Sequence, residues 1–189
     1  KTLFIIRLDP TDFNLANNRI KNELPRLIEE QQASRVVDTS IFHLGLFEGD
    51  RFTMQIRASA GVRQDPMTVS VAPGEGIVGW MRQSKQPLLV RDFLREMDSL
   101  PARPRYLNDN PPRSAVFVPL IARGEVIGSL SIQSMRPAAF TEQHLRILTF
   151  ISNQAAVAIE KARLYEAARE RAAELERIAQ ENATLYAQV

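Results

Sequence analysis

Residues 73–80 read Pro-Gly-Glu-Gly-Ile-Val-Gly-Trp. Their glycines match G-x-G-x-x-G, the turn at which a strand enters a phosphate-binding helix in dinucleotide-binding folds, and Asp92 follows where a ribose-binding acid stands. The context does not fit, because residues 67–71 alternate apolar and polar side chains and Pro73 precedes the first glycine. A parallel strand of such a fold is continuously apolar. We therefore keep a dinucleotide-dependent enzyme only as the less favoured alternative.

The chain on either side of this motif predicts two β-hairpins. Upstream, apolar residues alternate with polar or small ones around the turn residues 48–50, which indicates one buried face; the apolar positions are Phe42, Leu44, Leu46, Phe52, Met54, Ile56 and Ala58. Downstream, residues 114–121 are almost continuously apolar and turn into residues 126–134, which indicates a central strand covered on both faces. Between the hairpins, residues 86–112 form a long irregular stretch rich in Pro, Arg and Asp, of the kind that often carries function.

Helices are predicted at both ends of the chain. Residues 15–32 have apolar side chains at helical spacing, interrupted by Pro25, and predict one helix or two short ones. The short apolar segment 3–8 fits either a strand or the end of an upstream domain. The last helix should begin at Glu142, after the N-cap residue Thr141, with His144 where a capping box has Glu or Gln. No Gly or Pro follows Pro137, so this helix should span about 45 residues and roughly 65 to 70 Å.

The second half of the last helix has the spacing of a coiled coil. Its core positions, alternately four and three residues apart, are Leu164, Ala168, Arg171, Leu175, Ile178, Asn182, Leu185 and Val189. A polar Asn at an a position sets the register of a coiled coil. We therefore expect these residues to form the dimerisation helix of a parallel homodimer, with a single solvated helix as the alternative.

Composition excludes several classes of protein. The 189 residues include 24 Lys+Arg, 22 Asp+Glu, no cysteine and two histidines, so thiol chemistry, disulfide scaffolds and a cysteine or histidine metal cluster are not expected. The region from Arg82 to Arg113 has an excess of only three basic residues, seven against four acids, which disfavours nucleic-acid binding. No apolar run approaches the roughly 18 residues of a membrane span. A cytoplasmic protein without membrane insertion is expected.

Few residues suggest catalysis. His43 lies in a predicted strand and is interpreted as a surface or sheet-packing residue, and His144 lacks the acidic neighbour of a phosphoacceptor. No carboxylate pair or nucleophile elbow is present. The aromatic residues that flank the irregular stretch fit core packing better than a cavity.

Six motifs, in order, closely resemble a GAF domain over roughly residues 17–165. They are residues 38–44 (Asp-Thr-Ser-Ile-Phe-His-Leu), 73–80, 86–92 (Gln-Pro-Leu-Leu-Val-Arg-Asp), 114–120 (Ser-Ala-Val-Phe-Val-Pro-Leu), 124–131 (Gly-Glu-Val-Ile-Gly-Ser-Leu-Ser), and Phe140-Thr141 with 153–160 (Asn-Gln-Ala-Ala-Val-Ala-Ile-Glu). The resemblance implies an α+β fold: a central antiparallel sheet of about five or six strands, N- and C-terminal helices on one face and a pocket on the other. It also implies that the glycine motif opens a short helix beside the pocket.

The resemblance further implies a sensory or regulatory role. Family members bind cyclic nucleotides, bilins, haem or small metabolites, or serve only as dimerising modules. Without cysteine there is no bilin attachment and no cysteine-dependent methionine sulfoxide reduction, and the Asn-Lys…Phe…Asp-Glu signature of the cyclic-nucleotide members is missing. The ligand or cofactor is therefore unknown. Its expected contacts are Trp80, Phe93, Tyr106, Arg113 and Phe117.

These expectations divide the chain into three parts. Residues 1–16 are an N-terminal segment, either a linker or the end of an upstream domain, residues 17–160 the GAF domain, and residues 161–189 a coiled-coil signalling helix. Because the chain begins with Lys1, we interpret it as a fragment of a multidomain signalling protein. The helix should lead to a downstream output domain, such as a histidine kinase, diguanylate cyclase or phosphatase. The domain itself is expected to be non-catalytic. The alternative role is ligand-independent dimerisation, and a cyclic-nucleotide-binding GAF domain is the less favoured alternative.

Overall fold

The computed structural model of the chain describes residues 41–59, 62–106 and 110–186. The predicted helix over residues 15–32, the segment 3–8 and the predicted dimerisation residue Val189 lie outside these ranges. The division into residues 1–16, 17–160 and 161–189 stays a prediction.

The described residues form an antiparallel sheet of seven strands. Six follow each other in the order β3-β2-β1-β7-β6-β5, which agrees with the predicted number, and β4 pairs separately with β2. The strands are β1 (Ile41–Glu48), β2 (Arg51–Ser59), β3 (Val62–Gln64), β4 (Met67–Ser70), β5 (Leu88–Val90), β6 (Ser114–Ala122) and β7 (Glu125–Ser134). As predicted, β6 is an inner strand, and eight of its nine residues are buried.

Within the described residues, the sheet is accompanied by the α-helices α1 (Gly76–Ser84), α2 (Phe93–Glu96) and α3 (Glu142–Tyr186). The irregular stretch therefore contains three short elements that its sequence pattern does not predict: the edge strand β5, the single turn α2 and a 3-10 turn at Met97–Ser99. Helix α3 has 45 residues, as expected. Its first half packs on β6 and β7, where Leu148, Ala156 and Ile159 join the main core cluster. The buried Ser152 hydroxyl donates to the Pro119 carbonyl at 3.0 Å, which ties the helix to the centre of the sheet.

The first hairpin departs from simple alternation. Phe42 and Leu44 face the core as predicted, but the register against β2 shifts between Leu44 and Gly45. A β-bulge inserts one residue and reverses the phase of the side chains beyond it. The extra residue is Gln55 on β2, whereas β1 pairs with β7 without a shift, so Leu46 packs against the main core as predicted. On β2 the phase reverses: Ile56 and Ala58 face that core, but the prediction that Phe52 and Met54 share their face is wrong. Phe52 and Met54 lie on the other face of the sheet with Phe47, whose ring centroid is 4.9 Å from that of Phe52.

The start signal of α3 is more complete than its sequence indicates. His144 Nδ1 accepts the backbone N–H of Thr141 at 3.0 Å, and the Leu145 N–H bonds the Thr141 carbonyl at 3.1 Å. This is the reach-back bond that Glu or Gln makes at the third position of a capping box. His144 therefore has a structural role at the helix terminus, and burial lowers its pKa.

Candidate functional site

A cavity of about 190 Å³ lies on the face of the sheet opposite α3. Side chains alternate between the two faces of a strand, so the residues between the core positions of β1 and β7 point into it. The start of α1, the residue Phe93 of α2 and the segment 104–106 enclose the cavity from above. This is the side on which the family resemblance places the pocket.

The floor of the cavity is a row of side chains that crosses five strands. Phe117 on β6 is opposite Ser131 on β7, and Ser131 is opposite His43 on β1. His43 is in turn opposite Arg57 on β2, which is opposite Gln64 on β3. All five residues line the cavity, and we call them the floor row.

The glycine motif shapes the roof of the cavity. Gly76, the first residue of α1, has φ +65°, and a Cβ there would lie 3.4 Å from Cγ of Arg105. Gly79 packs so closely that a Cβ would lie 2.5 Å from the Ala72 carbonyl oxygen. A left-handed entry and a close backbone approach both require glycine, so the fingerprint-like spacing serves the strand-to-helix turn in a fold without parallel strands.

An ion pair holds the segment 104–106 onto this roof. The Arg105 guanidinium donates to Glu75 Oε1 at 2.7 Å and to the Ser70 carbonyl at 3.2 Å. The second oxygen of Glu75 accepts the Ala72 N–H at 3.0 Å. Next to Arg105, the Tyr106 ring stands edge-on to Phe93 at 6.1 Å, and its partial burial raises the pKa of the Tyr106 hydroxyl.

His43 is the most perturbed titratable group of the floor. Burial, and then the nearby Arg57 guanidinium, lowers the pKa of His43 from 6.5 to about 4. The imidazole is consequently neutral at pH 7. Nδ1 lies 3.5 Å from Nε2 of Gln133, which also donates to Ser131 Oγ at 3.3 Å. Because the amide nitrogen of Gln133 only donates, Nδ1 of His43 is the acceptor. The proton of the neutral imidazole is therefore on Nε2 of His43.

Arg57 brings a charge to the same floor. Its NH1 group donates to the Asp65 backbone carbonyl at 3.1 Å. Its Nε is buried and has no hydrogen-bond partner among the described residues.

Three of the five predicted ligand contacts lie together at the cavity, namely Phe93, Tyr106 and Phe117. Trp80 lies outside the lining and packs, half-buried, against the cluster formed by Ile77, Met81, Val90, Phe93, Ala115 and Phe117. Arg113 lies outside it as well. Ligand binding by all five residues stays a prediction.

The polar floor is what sequence reasoning missed. His43, interpreted as a surface or sheet-packing residue, lines the cavity with Arg57, Gln133, Ser129 and Ser131. A signal was available, because residues opposite in phase to a buried stripe on neighbouring strands share the other face of the sheet. Polar residues at those positions on two hairpins indicate a polar cavity floor.

Arg113 instead joins α2 to the sheet. Its Nε and NH2 groups donate to the two oxygens of Asp92 at 3.0 and 2.8 Å, and its carbonyl accepts the Phe93 N–H at 2.8 Å. Asp92 is 7 % exposed and also accepts the Leu94 N–H, so it caps α2. This bidentate pair, above all its hydrogen bonds, holds the pKa of Asp92 below its usual value. The pair thereby positions Phe93 over the cavity.

Replacing Arg113 by Gln is expected to lower the free energy of unfolding at pH 7. A carboxyl group with a depressed pKa contributes stability that is present above its unfolded pKa, about 3.9, and is lost as the pH falls below it. The acid part of the pH dependence should therefore shrink in Arg113→Gln, as followed by urea unfolding between pH 7 and 3. Arg91→Gln, which removes an exposed contact to Glu142 of 3.8 Å, is the control and should leave both quantities unchanged. If Arg113→Gln loses as much stability between pH 7 and 3 as the wild type does, Arg113 is not the cause of the lowered pKa of Asp92.

Within residues 41–59, 62–106 and 110–186, no group of three His, Cys, Asp or Glu side chains is placed to hold a metal ion. None of the described helices is long and apolar enough to cross a membrane.

A family model described as GAF domain matches residues 31–160. The chain belongs to the GAF domain family. Among curated proteins, the Nif-specific regulatory protein of Herbaspirillum seropedicae is 34% identical over 83 residues, which cover 42% of this chain and 15% of that protein. The chain thus spans a small part of this relative's length.

Solved structures share the GAF fold. The GAF domain of a phosphoenolpyruvate-protein phosphotransferase from Acinetobacter superposes with a TM-score of 0.60 at 18% identity, over 80% of this chain and 86% of that one. A type II free methionine-R-sulfoxide reductase from Thermoplasma acidophilum gives 0.59 at 16% identity, over 81% and 96%. At these identities the likeness shows the fold alone. Regulatory proteins and enzymes both use this fold, so function depends on the residues at the site.

Proposed function

We propose that the chain is a non-catalytic regulatory GAF domain of a cytoplasmic signalling protein. It binds a small ligand in the cavity and relays binding through α3 to an output domain in the same protein, such as a histidine kinase, diguanylate cyclase or phosphatase. The regulatory relative supports this role. The absence of cysteine removes the nucleophile on which cysteine-dependent reductases of this fold rely.

The observation that carries the proposal is that the cavity and α3 share strands. On β7, Ser131 and Gln133 line the cavity, while Leu130 and Ile132 lie in the core cluster that includes α3. A molecule that shifts the floor therefore shifts the surface on which α3 is packed. A difference of about 1 to 3 kcal/mol between two arrangements suffices for regulation.

Exposed apolar side chains on α3 support a partner helix. Leu164, Leu175 and Ile178 are 45%, 67% and 41% exposed. Phe150 and Val157, fourteen and seven residues before Leu164, continue the same heptad position and are exposed as well. Among the remaining predicted dimerisation residues, Ala168 is exposed, and the side chains of Asn182 and Leu185 are not described. A parallel homodimer would cover this stripe along the helix.

The double substitution Leu175→Asp with Ile178→Asp is expected to convert the dimer to a monomer. Two charges at core positions of a coiled coil have no desolvated partner, so association should weaken at least a hundredfold. Sedimentation equilibrium measures the change. Ala173→Asp, at an exposed position on the opposite side of the helix, is the matched control and should leave the dimer intact. A wild-type chain that sediments as a monomer at every concentration would contradict the proposed dimer.

The relay is tested with one spin label for each chain. Because the chain has no cysteine, Glu176→Cys, at an exposed b position outside the predicted seam, gives a unique label. Native mass spectrometry of freshly purified protein identifies any retained small molecule, and refolding removes it. The distance distribution between the two labels of a dimer should differ between occupied and emptied protein.

The second candidate function is ligand-independent dimerisation, which the exposed apolar stripe of α3 favours by itself. Ligand-independent dimerisation also predicts that the chain becomes a monomer when Leu175→Asp with Ile178→Asp disrupts the stripe. It differs from ligand relay in its prediction that the distance between the two spin labels of the Glu176→Cys dimer does not change when the cavity is filled.

A further inference from the structure

The cavity floor holds one positive charge without a partner. Arg57 makes a single hydrogen bond, to a backbone carbonyl, and its Nε is buried and unpaired. Within the described ranges, no carboxylate forms a salt bridge with it. A buried donor without an acceptor costs free energy. A bound molecule with an anionic oxygen would remove that cost.

The other charges of the lining cancel. Glu75 and Arg105 pair at 2.7 Å at the rim, and the remaining Glu75 oxygen accepts a backbone N–H. His43 is neutral at pH 7, because burial and Arg57 lower its pKa to about 4. The described part of the lining therefore carries a net charge of one, located at Arg57.

Polarity falls along the floor row. From β2 to β6 the side chains are the guanidinium of Arg57, the imidazole of His43, the hydroxyl of Ser131 and the phenyl ring of Phe117. Neighbouring strands are about 4.8 Å apart, so the row extends over roughly 14 Å. Phe93, in one cluster with Phe117, covers the apolar end. The row therefore suits a molecule with a charged head and an apolar body.

The volume limits the size of that molecule. About 190 Å³ lies below the range of about 300 to 1,000 Å³ of sites for drug-sized ligands. At the density of packed organic matter it accommodates roughly ten non-hydrogen atoms. A nucleotide has about twice that number, so this conformation favours a smaller molecule.

We propose that this cavity binds a small organic monocarboxylate, with its carboxylate on Arg57 and its apolar body directed toward Phe93 and Phe117. The inference rests on the proposed function, since it names the ligand class of the same cavity. A second carboxylate would enter the aromatic end without a cation, so dicarboxylates are expected to bind more weakly. Neutral isosteres leave Arg57 unpaired and should also bind more weakly.

Titration calorimetry tests the proposal with phenylacetate, benzoate, hexanoate and isovalerate. Fluorescence of Trp80, the only tryptophan, reports occupancy independently, because its ring packs beside the cavity. At least one of these acids should bind saturably, its neutral amide at least tenfold more weakly, and glutarate likewise. An amide that binds as tightly as its acid, or a lack of binding by all four acids, overturns the proposal.

Arg57→Gln should weaken binding of the acid at least tenfold and leave binding of the amide unchanged. Arg51→Gln, an exposed arginine on the same strand, is the matched control and should bind as the wild type does. Circular dichroism checks that each variant is folded. If Arg57→Gln does not fold, binding of acid and amide is compared in Arg57→Lys. Lysine keeps the positive charge, so this variant should still bind the acid more tightly than the amide. Wild-type affinity for the acid in folded Arg57→Gln, or a lost preference in Arg57→Lys, overturns the proposal.

The spin-labelled Glu176→Cys dimer separates this inference from the proposed function. If amides fill the cavity and change the label distance whereas acids do not bind, the ligand class is wrong and the relay stands. If the acids bind with the expected selectivity and the distance stays constant, the ligand class is supported and the relay is wrong.

Discussion

Gly79→Ala is expected to destabilise the domain by about 3 kcal/mol. The added Cβ would lie 2.5 Å from the Ala72 carbonyl oxygen and 3.2 Å from backbone atoms of Gly74. These contacts are backbone on both sides, so no side-chain rotamer relieves them, and α1 must move away from the turn that precedes it. Because α1 provides Ile77 and Val78 to the cavity, its displacement should also abolish ligand binding.

Urea unfolding measures how much free energy of unfolding is lost in Gly79→Ala and in the control Gly124→Ala. Gly124, in the β6–β7 turn, has φ +80° but nothing within 4 Å of a built Cβ. Its replacement therefore introduces only left-handed strain, about 1 to 2 kcal/mol. Equal destabilisation by the two substitutions would show that crowding at Gly79 has no cost, and would contradict the packing explanation of the glycine motif.

The glycine motif shows what could be predicted from the sequence and what could not. Its G-x-G-x-x-G spacing is ambiguous in isolation, because a turn into a closely packed helix needs glycines whether or not a phosphate is bound. The surrounding periodicity decides between the two, since hairpins exclude a parallel sheet. Both hairpins and the full length of α3 follow from local patterns of apolar residues, which is why they could be predicted.

The features that were missed depend on contacts distant in sequence. The bulge at Gln55 on β2 arises from pairing with β1, and no local pattern at residues 54–56 indicates it. Strand β5 has three residues and is defined by its pairing with β6. Arg113 was expected at the ligand only from the family resemblance, and its pairing with Asp92 joins residues that are 21 positions apart in sequence. The floor row, by contrast, was accessible in principle, because strand phase alone places His43 and Ser131 on the face opposite Phe42 and Leu130.

His43 is expected to make the folded state less stable as the pH falls from about 6.5 to 4. Its folded pKa of about 4 lies below the unfolded value of 6.5, so within this interval the unfolded chain binds more protons than the native one. Stability contributed by the neutral ring is complete above pH 6.5 and is lost during acidification to pH 4. A shift of this size corresponds to about 2 to 3 kcal/mol once residual solvent exposure of the ring is allowed for.

Burial is the main reason that the pKa of His43 is lowered, and the charged groups around the ring act in the same direction. Arg57 stands opposite on β2, the neutral Ser131 and Gln133 stand on β7, and the charges of Glu75 and Arg105 pair with each other in the roof. The described residues of the lining therefore offer no unpaired anion to an imidazolium, so protonation brings a second cation next to the first. A monocarboxylate on Arg57 would reverse this effect and raise the pKa of His43.

The substitution His43→Gln isolates the contribution of His43 to the pH dependence of the free energy of unfolding. The difference in free energy of unfolding between wild type and His43→Gln should change by about 2 to 3 kcal/mol between pH 7 and pH 4, because effects of all other groups cancel. His144→Gln is the matched control, since Gln retains the reach-back bond to Thr141 and the only other histidine is removed. Its difference from wild type should vary less with pH. A constant difference for His43→Gln across this interval would show that the ring titrates normally in the fold, and that Arg57 and burial do not hold it neutral.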